Sequence, residues 1–346
     1  MRHARFATSR LVPLAVISGL GFAGLALAAP PPDVDRSTRP VATYSIVAHD
    51  AETGQLGVAV QSHWFQVGPI VAWAEPGVGA VATQSFVDPA YGPNGLLGLR
   101  AGMAPQAVLD ALIAADAQSA VRQVAMVDAQ GRVAVWTGER AIEAAGHRTG
   151  DGYSVQANLM ERDTVWNAMA EAFEGTDGPL AERMLAALEA AEAEGGDIRG
   201  RQSAALLVVA GESTGRPWRD RLVDLRIADA PEPLVELRRL LRRHRAYEAM
   251  NAGDEALAQG EVDAAAAHYT RAAELEPEIH ELPFWQAVTL FESGREDEAL
   301  PLFRRVFAQD DRWLRLIPRL VPAGLLPDDP AKLDAIRAQA PPHLRH

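Results

Sequence analysis

The sequence contains no cysteine among its 346 residues. Disulfides, a cysteine nucleophile and thiolate metal sites are therefore excluded. Positive charge is also scarce, because 33 lysines and arginines against 46 aspartates and glutamates leave a net charge of -13. Nucleic acid is not an expected partner, since its phosphates need a basic face. The nine histidines lack close metal-ligand spacing such as H-E-x-x-H, and we expect no cofactor.

Long apolar runs are missing from most of the chain, and the one that is present lies at the N-terminus. A basic stretch precedes it, and residues 26–28 end it with the small-x-small pattern of a cleavage site. The sequence therefore predicts a signal peptide over residues 1–28 and a periplasmic or secreted protein, with a retained membrane anchor as the alternative. Residues 29–42 are rich in proline and predict a linker.

Strand-like segments in pairs follow from residue 43 onwards, with turn signals between them. The pairs are TYSIVAHD with QLGVAVQSHW, two strands around Pro76-Gly77, RQVAMVDAQ with GRVAVWTGE, and SAALLVVAG with RLVDLRIAD. One helix is predicted near GPNGLLGLRAGMAPQAVLDALIAAD, and two more near 161–173 and 178–194. Strands joined as hairpins pair antiparallel, so we expect an α+β layered sandwich over residues 43–229, with helices outside two sheets.

Beyond residue 229 the chain changes from paired strands to helices, after the linker-like segment APEP. A 34-residue repeat aligns Gly260 with Gly294, Ala265 with Ala299, and Tyr269 with Phe303. This pattern resembles tetratricopeptide repeats, in which small residues allow close helix approach. It predicts an all-α domain over residues 230–346 that binds a protein or peptide partner. A short cap that only packs on the first domain is the alternative.

Two short motifs carry no chemistry. GESTG (Gly211–Gly215) fits the G-x-S-x-G nucleophile elbow, but an elbow enters a helix, whereas RPW and then a strand pattern follow here. The basic run RRLLRRHR (Arg238–Arg245) has leucines at helical spacing and predicts the solvated side of a helix.

Polar residues stand at the ends of, or inside, several otherwise apolar strand segments. They are Gln84, Asp88, Tyr91, His147, Arg148, Gln156, Asn158, Arg201, Gln202 and Ser203. Buried polar groups need partners, so a structural hydrogen-bond network is one interpretation of each. Convergence of several of them at one place would favour a ligand site.

The segments TYSIVAHDAETGQLGVAVQSHW, GVGAVATQSFVDPAYGPNGL, GHRTGDGYSVQANLM and GGDIRGRQSAALLVV resemble the recurring blocks of the domain-of-unknown-function family 1028. The resemblance covers about residues 43 to 229. It implies the fold of N-terminal-nucleophile hydrolases, a four-layer αββα sandwich, followed in this chain by the all-α helical-repeat domain.

In that fold an N-terminal Thr, Ser or Cys attacks an amide carbonyl, and its own α-amine acts as the base. The resemblance places Thr43 where relatives begin, so only a cut between Ala42 and Thr43 would free the amine. His63 is a candidate base. Gln84 and Asn158 are candidate amide donors to an oxyanion. Asp88 and Arg201 would bind polar groups of the substrate or pair with each other. The candidate catalytic set is Thr43, Ser45, Ser62, His63, Gln84 and Asn158. The candidate substrate-binding set is Asp88, Tyr91, His147, Arg148, Gln156, Arg201, Gln202 and Ser203.

The expected activity is hydrolysis of an amide bond in a small molecule or peptide. The alternative is a catalytically silent binding or assembly protein that uses the same pocket and the helical repeats, with homo-oligomer formation as a further option.

Overall fold

The computed structural model describes residues 43–344, so the predicted signal peptide and Pro-rich linker lie outside the described residues. The strands are β1 (Thr43–His49), β2 (Leu56–Ser62), β3 (Ala72–Glu75), β4 (Gly79–Ser85), β5 (Arg122–Asp128), β6 (Val133–Thr137), β7 (Gly146–Gly150), β8 (Tyr153–Asn158), β9 (Ser203–Val209) and β10 (Arg221–Ile227). The helices are α1 (Gly68–Val71), α2 (Tyr91–Arg100), α3 (Pro105–Ala115), α4 (Val165–Gly175), α5 (Leu180–Ala193), α6 (Pro217–Asp220), α7 (Pro233–Ala258), α8 (Val262–Leu275), α9 (Glu281–Glu292), α10 (Glu296–Gln309), α11 (Arg312–Leu320) and α12 (Pro330–Arg337).

The strands form two antiparallel sheets. One has six strands in the order β10-β9-β2-β1-β8-β7, and the other has four in the order β3-β4-β5-β6. The four predicted hairpin pairs form, as β1 with β2, β3 with β4, β5 with β6, and β9 with β10. Pairing of β1 with β8, which is distant in the sequence, places β1 in the interior of its sheet.

Alternation along the strands sorts side chains between the two faces of each sheet. Val47, Val58 and Ala125 belong to a core between the sheets, whereas Tyr44 and Ile46 belong to a core shared with α4, α5 and the start of α7. The opposite face of the four-stranded sheet packs on α2 and α3. The region is therefore a mixed α/β domain built on antiparallel sheets.

The single helix predicted before β5 is two helices, α2 and α3. The break follows from local chemistry, since Gly102 has φ +84 and Pro105 begins α3. A left-handed glycine ends a helix at low steric cost, and proline is well suited to the first turn of the next one.

The region beyond β10 is helical, and its repeated positions are equivalent in structure. Gly260 and Gly294 both have φ +80 just after a helix, and Ala265 and Ala299 are both fully buried. Within residues 43–344, no helix combines the length and apolarity needed to cross a membrane.

The long helix α7 belongs to both regions. Its first half contributes Leu234, Leu237 and Leu241 to the core beneath the six-stranded sheet, and its second half contributes Ala246 and Met250 to the core of the helical region. One continuous helix therefore joins the two regions.

The basic run on α7 differs from the predicted solvated side of a helix. Arg238 pairs with Glu182 and Glu189 of α5, at 3.0 and 2.5 Å. Arg242, further along, pairs at 3.0 Å with the buried Glu276 that follows α8. Glutamates on both neighbouring helices thus turn this run into a set of partly exposed ion pairs.

Candidate functional site

Polar side chains fill one end of the space between the two sheets. Thr43 begins β1, with Ser62 opposite it on β2 and Asn158 opposite it on β8. The other sheet contributes Gln84 and Gln123, which face each other on β4 and β5. All five residues are fully buried. Further along this face β1, β2, β4 and β5 carry apolar residues, whereas β8 continues with polar ones.

Thr43 is held through both its side chain and its main chain. Its hydroxyl donates to the hydroxyl of Ser62 at 3.2 Å. Its carbonyl oxygen accepts from the amide nitrogens of Gln84 at 3.1 Å and Asn158 at 3.4 Å. The two predicted amide donors therefore converge on the predicted nucleophile, and in this arrangement they bind its carbonyl.

Gln123 lies at the centre of these contacts, although it was not among the predicted site residues. Its carbonyl oxygen accepts from Gln84 at 2.7 Å and from Asn158 at 3.0 Å. Its amide nitrogen donates to the Thr137 hydroxyl at 2.9 Å and to the Ala157 carbonyl at 3.0 Å. The sequence signal was present, because the polar residue opens the apolar strand RQVAMVD.

Ser45 and Gln156 extend the group along β1 and β8. The Ser45 hydroxyl donates to the carbonyl oxygen of Gln84 and accepts from the amide of Gln156, both at 2.6 Å. Ser154 donates to the carbonyl oxygen of Gln156 at 2.9 Å. We call the whole group the amide cluster; it comprises Thr43, Ser45, Ser62, Gln84, Gln123, Gln156 and Asn158.

His63, the candidate base, follows Ser62 directly, but its side chain is exposed whereas Thr43 is buried. Its backbone N–H donates to the carboxylate of Asp197 at 3.1 Å. The structure thus places His63 at the rim of the amide cluster, and its role as a base stays a prediction.

Asp88 and Tyr91 lie beside the four-stranded sheet, where α2 begins, and line a small cavity of about 230 Å³. The Asp88 carboxylate accepts from the backbone N–H of Ala90 at 2.9 Å. The Tyr91 hydroxyl donates to Asp116 at 3.0 Å, and burial together with this carboxylate raises the pKa of Tyr91. These two candidates do not join the amide cluster.

The candidates on β7 have different surroundings. His147 Nδ1 lies 2.9 Å from the Thr137 hydroxyl, which links it to Gln123, and desolvation by neighbouring atoms lowers its pKa. Arg148 pairs with Glu174 of α4 at 3.1 Å, on the opposite side of the sheet.

The candidates near β9 are bound to other partners. Arg201 pairs with Glu192 at 2.8 Å and with Glu232, so it does not form the proposed pair with Asp88. Gln202 donates to Asp229 at 3.1 Å.

Ser203 faces Ser62 in the strand register, but its hydroxyl serves the loop that follows β2. It donates to the carbonyl of Trp64 at 2.5 Å and accepts from the N–H of Val67 at 3.1 Å.

A cavity lies away from the amide cluster. It measures about 570 Å³ and lies at the other end of β1, beside His49, Asp50 and Tyr153. Within residues 43–344, no group of three or more His, Asp and Glu side chains could hold a metal ion. The side chains that bind Thr43 in the amide cluster are neutral hydroxyl and amide groups.

Antiparallel sheets with a buried amide cluster, followed by paired helices, define an α/β domain linked to a helical-repeat region. Residues 43–237 match the model described as "Family of unknown function (DUF1028)", and residues 250–311 match a tetratricopeptide repeat model. Since the first match spans more than half of the chain, the protein belongs to the DUF1028 family. The resemblances stated from the sequence are thus confirmed for both regions.

One similar solved structure is the crystal structure of protein SPO2555 from Silicibacter pomeroyi, also of DUF1028. The two chains share 33% identity with a TM-score of 0.53, and the match covers 58% of this chain and 85% of the other. No curated protein matches the chain.

Proposed function

We propose that the α/β region has the four-layer αββα architecture of N-terminal-nucleophile hydrolases and cleaves an amide bond in a small molecule or peptide. The packing supports this proposal. The two sheets share one core, α2 and α3 cover the outside of one sheet, and α4 and α5 cover the outside of the other.

The observation that carries the proposal is the position of Thr43. It begins both β1 and the family match, and the amide cluster holds its hydroxyl and its carbonyl. A free α-amine at this residue would take the hydroxyl proton as the oxygen attacks the substrate carbonyl. The acyl group would then form an ester on Thr43, the substrate amine would leave with the proton, and water would release the acid.

The residue before Thr43 controls this chemistry. While Ala42 is attached, the nitrogen of Thr43 is an amide and has no basic lone pair. Loss of a general base costs roughly 10²- to 10⁴-fold in rate. We therefore propose that Thr43 becomes active only after the peptide bond to Ala42 is cut.

We further propose that the protein is exported, which the signal-like N-terminus supports. Export and activation then require two cuts, one near Ala28 and one before Thr43. The N-terminal sequence of the mature protein from its native source reports on both, and an intact Met1 would contradict the export proposal.

The test of activity compares proteins that begin at Thr43 and at Ala29 on a panel of amides. The protein that begins at Thr43 should be faster by roughly 10²-fold or more, in line with the loss of a general base. Thr43→Ser should keep activity because it keeps a hydroxyl, and Thr43→Ala should abolish it. Equal turnover with Thr43→Ala would remove Thr43 as the nucleophile.

A second candidate function is binding without catalysis. It is favoured by the full burial of Thr43 and by the position of a cavity of about 570 Å³ at the other end of β1. Tetratricopeptide repeats generally mediate contacts between proteins, so a protein partner or a second copy would be held by the C-terminal helices. No turnover by any version, with a partner retained by residues 233–344 alone, would favour this function.

A further inference from the structure

The cavity of about 570 Å³ lies at the end of β1 opposite to Thr43. Its lining comes from three hairpin turns, those after β1, β5 and β7, and from α5 and the segment that joins α4 to α5. Its volume is in the range of sites that bind small molecules. The cavity is therefore a candidate binding site that the proposed hydrolysis does not use.

The lining of this cavity is strongly acidic. It contains one guanidinium, that of Arg183, and five carboxylates, which belong to Asp50, Glu52, Asp151, Glu174 and Asp177. Three of the carboxylates are exposed and form no ion pair within residues 43–344, namely Glu52, Asp151 and Asp177. Carboxylates that line one cavity repel each other, and a cation bound between them relieves this repulsion. The charge of the lining therefore favours a positively charged ligand.

One wall of the cavity already holds a guanidinium. The guanidinium carbon of Arg183 lies 4.3 Å from the centroid of the Phe173 ring, and one of its nitrogens lies 3.5 Å from the Asp50 carboxylate. An aromatic face together with a carboxylate stabilises an organic cation through cation–π and charge attraction. This contact is a separate observation from the excess of acidic residues, and it shows that the wall accommodates such a group.

Two of the carboxylates are held in place by neighbouring groups. The backbone N–H groups of Glu52 and Thr53 donate to the Asp50 carboxylate at 3.0 and 2.9 Å. The hydroxyl of Tyr153, which is itself buried, donates to Glu174. Groups that are already ordered lose little conformational entropy when a ligand binds, so this part of the cavity is preformed.

We propose that this cavity binds a small organic cation that carries amino or guanidino groups. The carboxylates without an ion pair bind its charged ends, and its carbon chain fills the space between the hairpin turns. This binding goes beyond the proposed amide hydrolysis, since Thr43 takes no part in it.

The test measures the binding of agmatine, which has one amino and one guanidino group, to the protein that begins at Ala29 by isothermal titration calorimetry. We expect saturable binding to one site, and the affinity should fall as sodium chloride is added because salt screens exposed charges. The double variant Asp151→Asn/Asp177→Asn should bind agmatine roughly 10-fold more weakly, the size expected when two exposed ion pairs are lost.

The matched control is Asp263→Asn/Asp328→Asn, which changes the net charge equally at two exposed positions of the helical region. It should bind agmatine as tightly as the wild type does. Equal affinity in the wild type and the cavity variant, or no binding to the wild type, would overturn the proposal. Magnesium chloride is the probe for charge attraction alone, and an affinity for magnesium equal to that for agmatine would also overturn it.

Thermal unfolding shows whether each variant is folded. If the cavity variant is not, the single variant Glu52→Gln on a different turn replaces it, and an unchanged affinity there counts against the proposal. The outcome is separate from that of the proposed function. Agmatine binding without amide hydrolysis would support the cavity site and remove the function, and hydrolysis without agmatine binding would do the reverse.

Discussion

At the scale of single residues, the amide cluster is a neutral hydrogen-bond network in a fully buried position. Gln123 accepts from two cluster amides and donates to a hydroxyl and a main-chain carbonyl. Gln61, also fully buried on β2, has no hydrogen-bond partner for either side-chain atom among the described residues. The side chain of Gln123 therefore has several hydrogen-bond partners, whereas that of Gln61 has none among the described residues.

This contrast predicts different costs for the same substitution. Gln123→Leu leaves the amides of Gln84 and Asn158 without their acceptor, and we expect a loss of roughly 2–3 kcal/mol in the free energy of unfolding. Gln61→Leu removes polar atoms that have no hydrogen-bond partner within residues 43–344, so it should change stability by less than about 1 kcal/mol. Urea unfolding followed by circular dichroism measures both. Similar losses would show that Gln123 is not the centre of the network.

Local patterns predicted part of this site. Thr43 and Ser45 share the inter-sheet face because side chains alternate along a strand, and alternation can be read from the sequence. The separation of Asp88 from Arg201 could not be predicted, because it depends on how the chain folds around each residue. Asp88 accepts from the nearby N–H of Ala90, whereas Arg201 pairs with Glu192 and Glu232. Gln123 was missed because its importance comes from contacts across the two sheets.

At the scale of elements, the packing of α7 against α8 depends on one glycine. Gly253 is buried inside α7, and a Cβ atom there would lie 2.6 Å from a ring carbon of Tyr269 on α8. The Tyr269 hydroxyl donates to Asp254 at 2.7 Å, which keeps the ring in this place. The small residue therefore lets the two helices approach closely.

Gly253→Ala should destabilise the helical region even though alanine is the better helix former. Helix propensity alone would stabilise by about 1 kcal/mol, whereas overpacking typically costs about 1–3 kcal/mol, so a net loss is expected. Gly175→Ala, at an open position that ends α4, should be neutral or slightly stabilising. Thermal unfolding compares the two, and a gain in Gly253→Ala would argue against the close approach.

The strand pairs that could be predicted are those joined by a short turn with its own sequence signal. Each hairpin has its own turn residues, so the four strand pairs follow from short segments. The neighbour relation of β1 and β8 did not follow, because pairing across more than a hundred residues leaves no turn signal between the strands.

At the scale of the whole molecule, α7 determines where the two regions can be separated. The predicted boundary after Asp229 precedes α7, yet Leu234, Leu237 and Leu241 lie in the core of the α/β region. Burial of three leucines contributes at most roughly 5–9 kcal/mol, which is comparable to the whole stability of a typical domain.

A fragment of residues 43–245 should therefore fold, whereas residues 43–229 should not. The longer fragment keeps the three leucines and the pairs of Arg238 with α5, and it stops before Ala246 enters the second core. Circular dichroism and size-exclusion chromatography of both fragments provide the measurement. A cooperative transition of equal midpoint in the shorter fragment would show that α7 is dispensable to the α/β region.

The interior position of β1 also bears on whether cleavage before Thr43 can follow folding. An endoprotease binds several residues on both sides of the bond it cuts, but residues 43–48 already pair with β2 on one edge and β8 on the other. We therefore expect the folded protein to resist such an enzyme at the bond before Thr43. If the proposed cut before Thr43 takes place, it either precedes formation of the sheet or proceeds by removal of one residue at a time from the amino end. On the second route we expect trimming to stop at the buried Thr43.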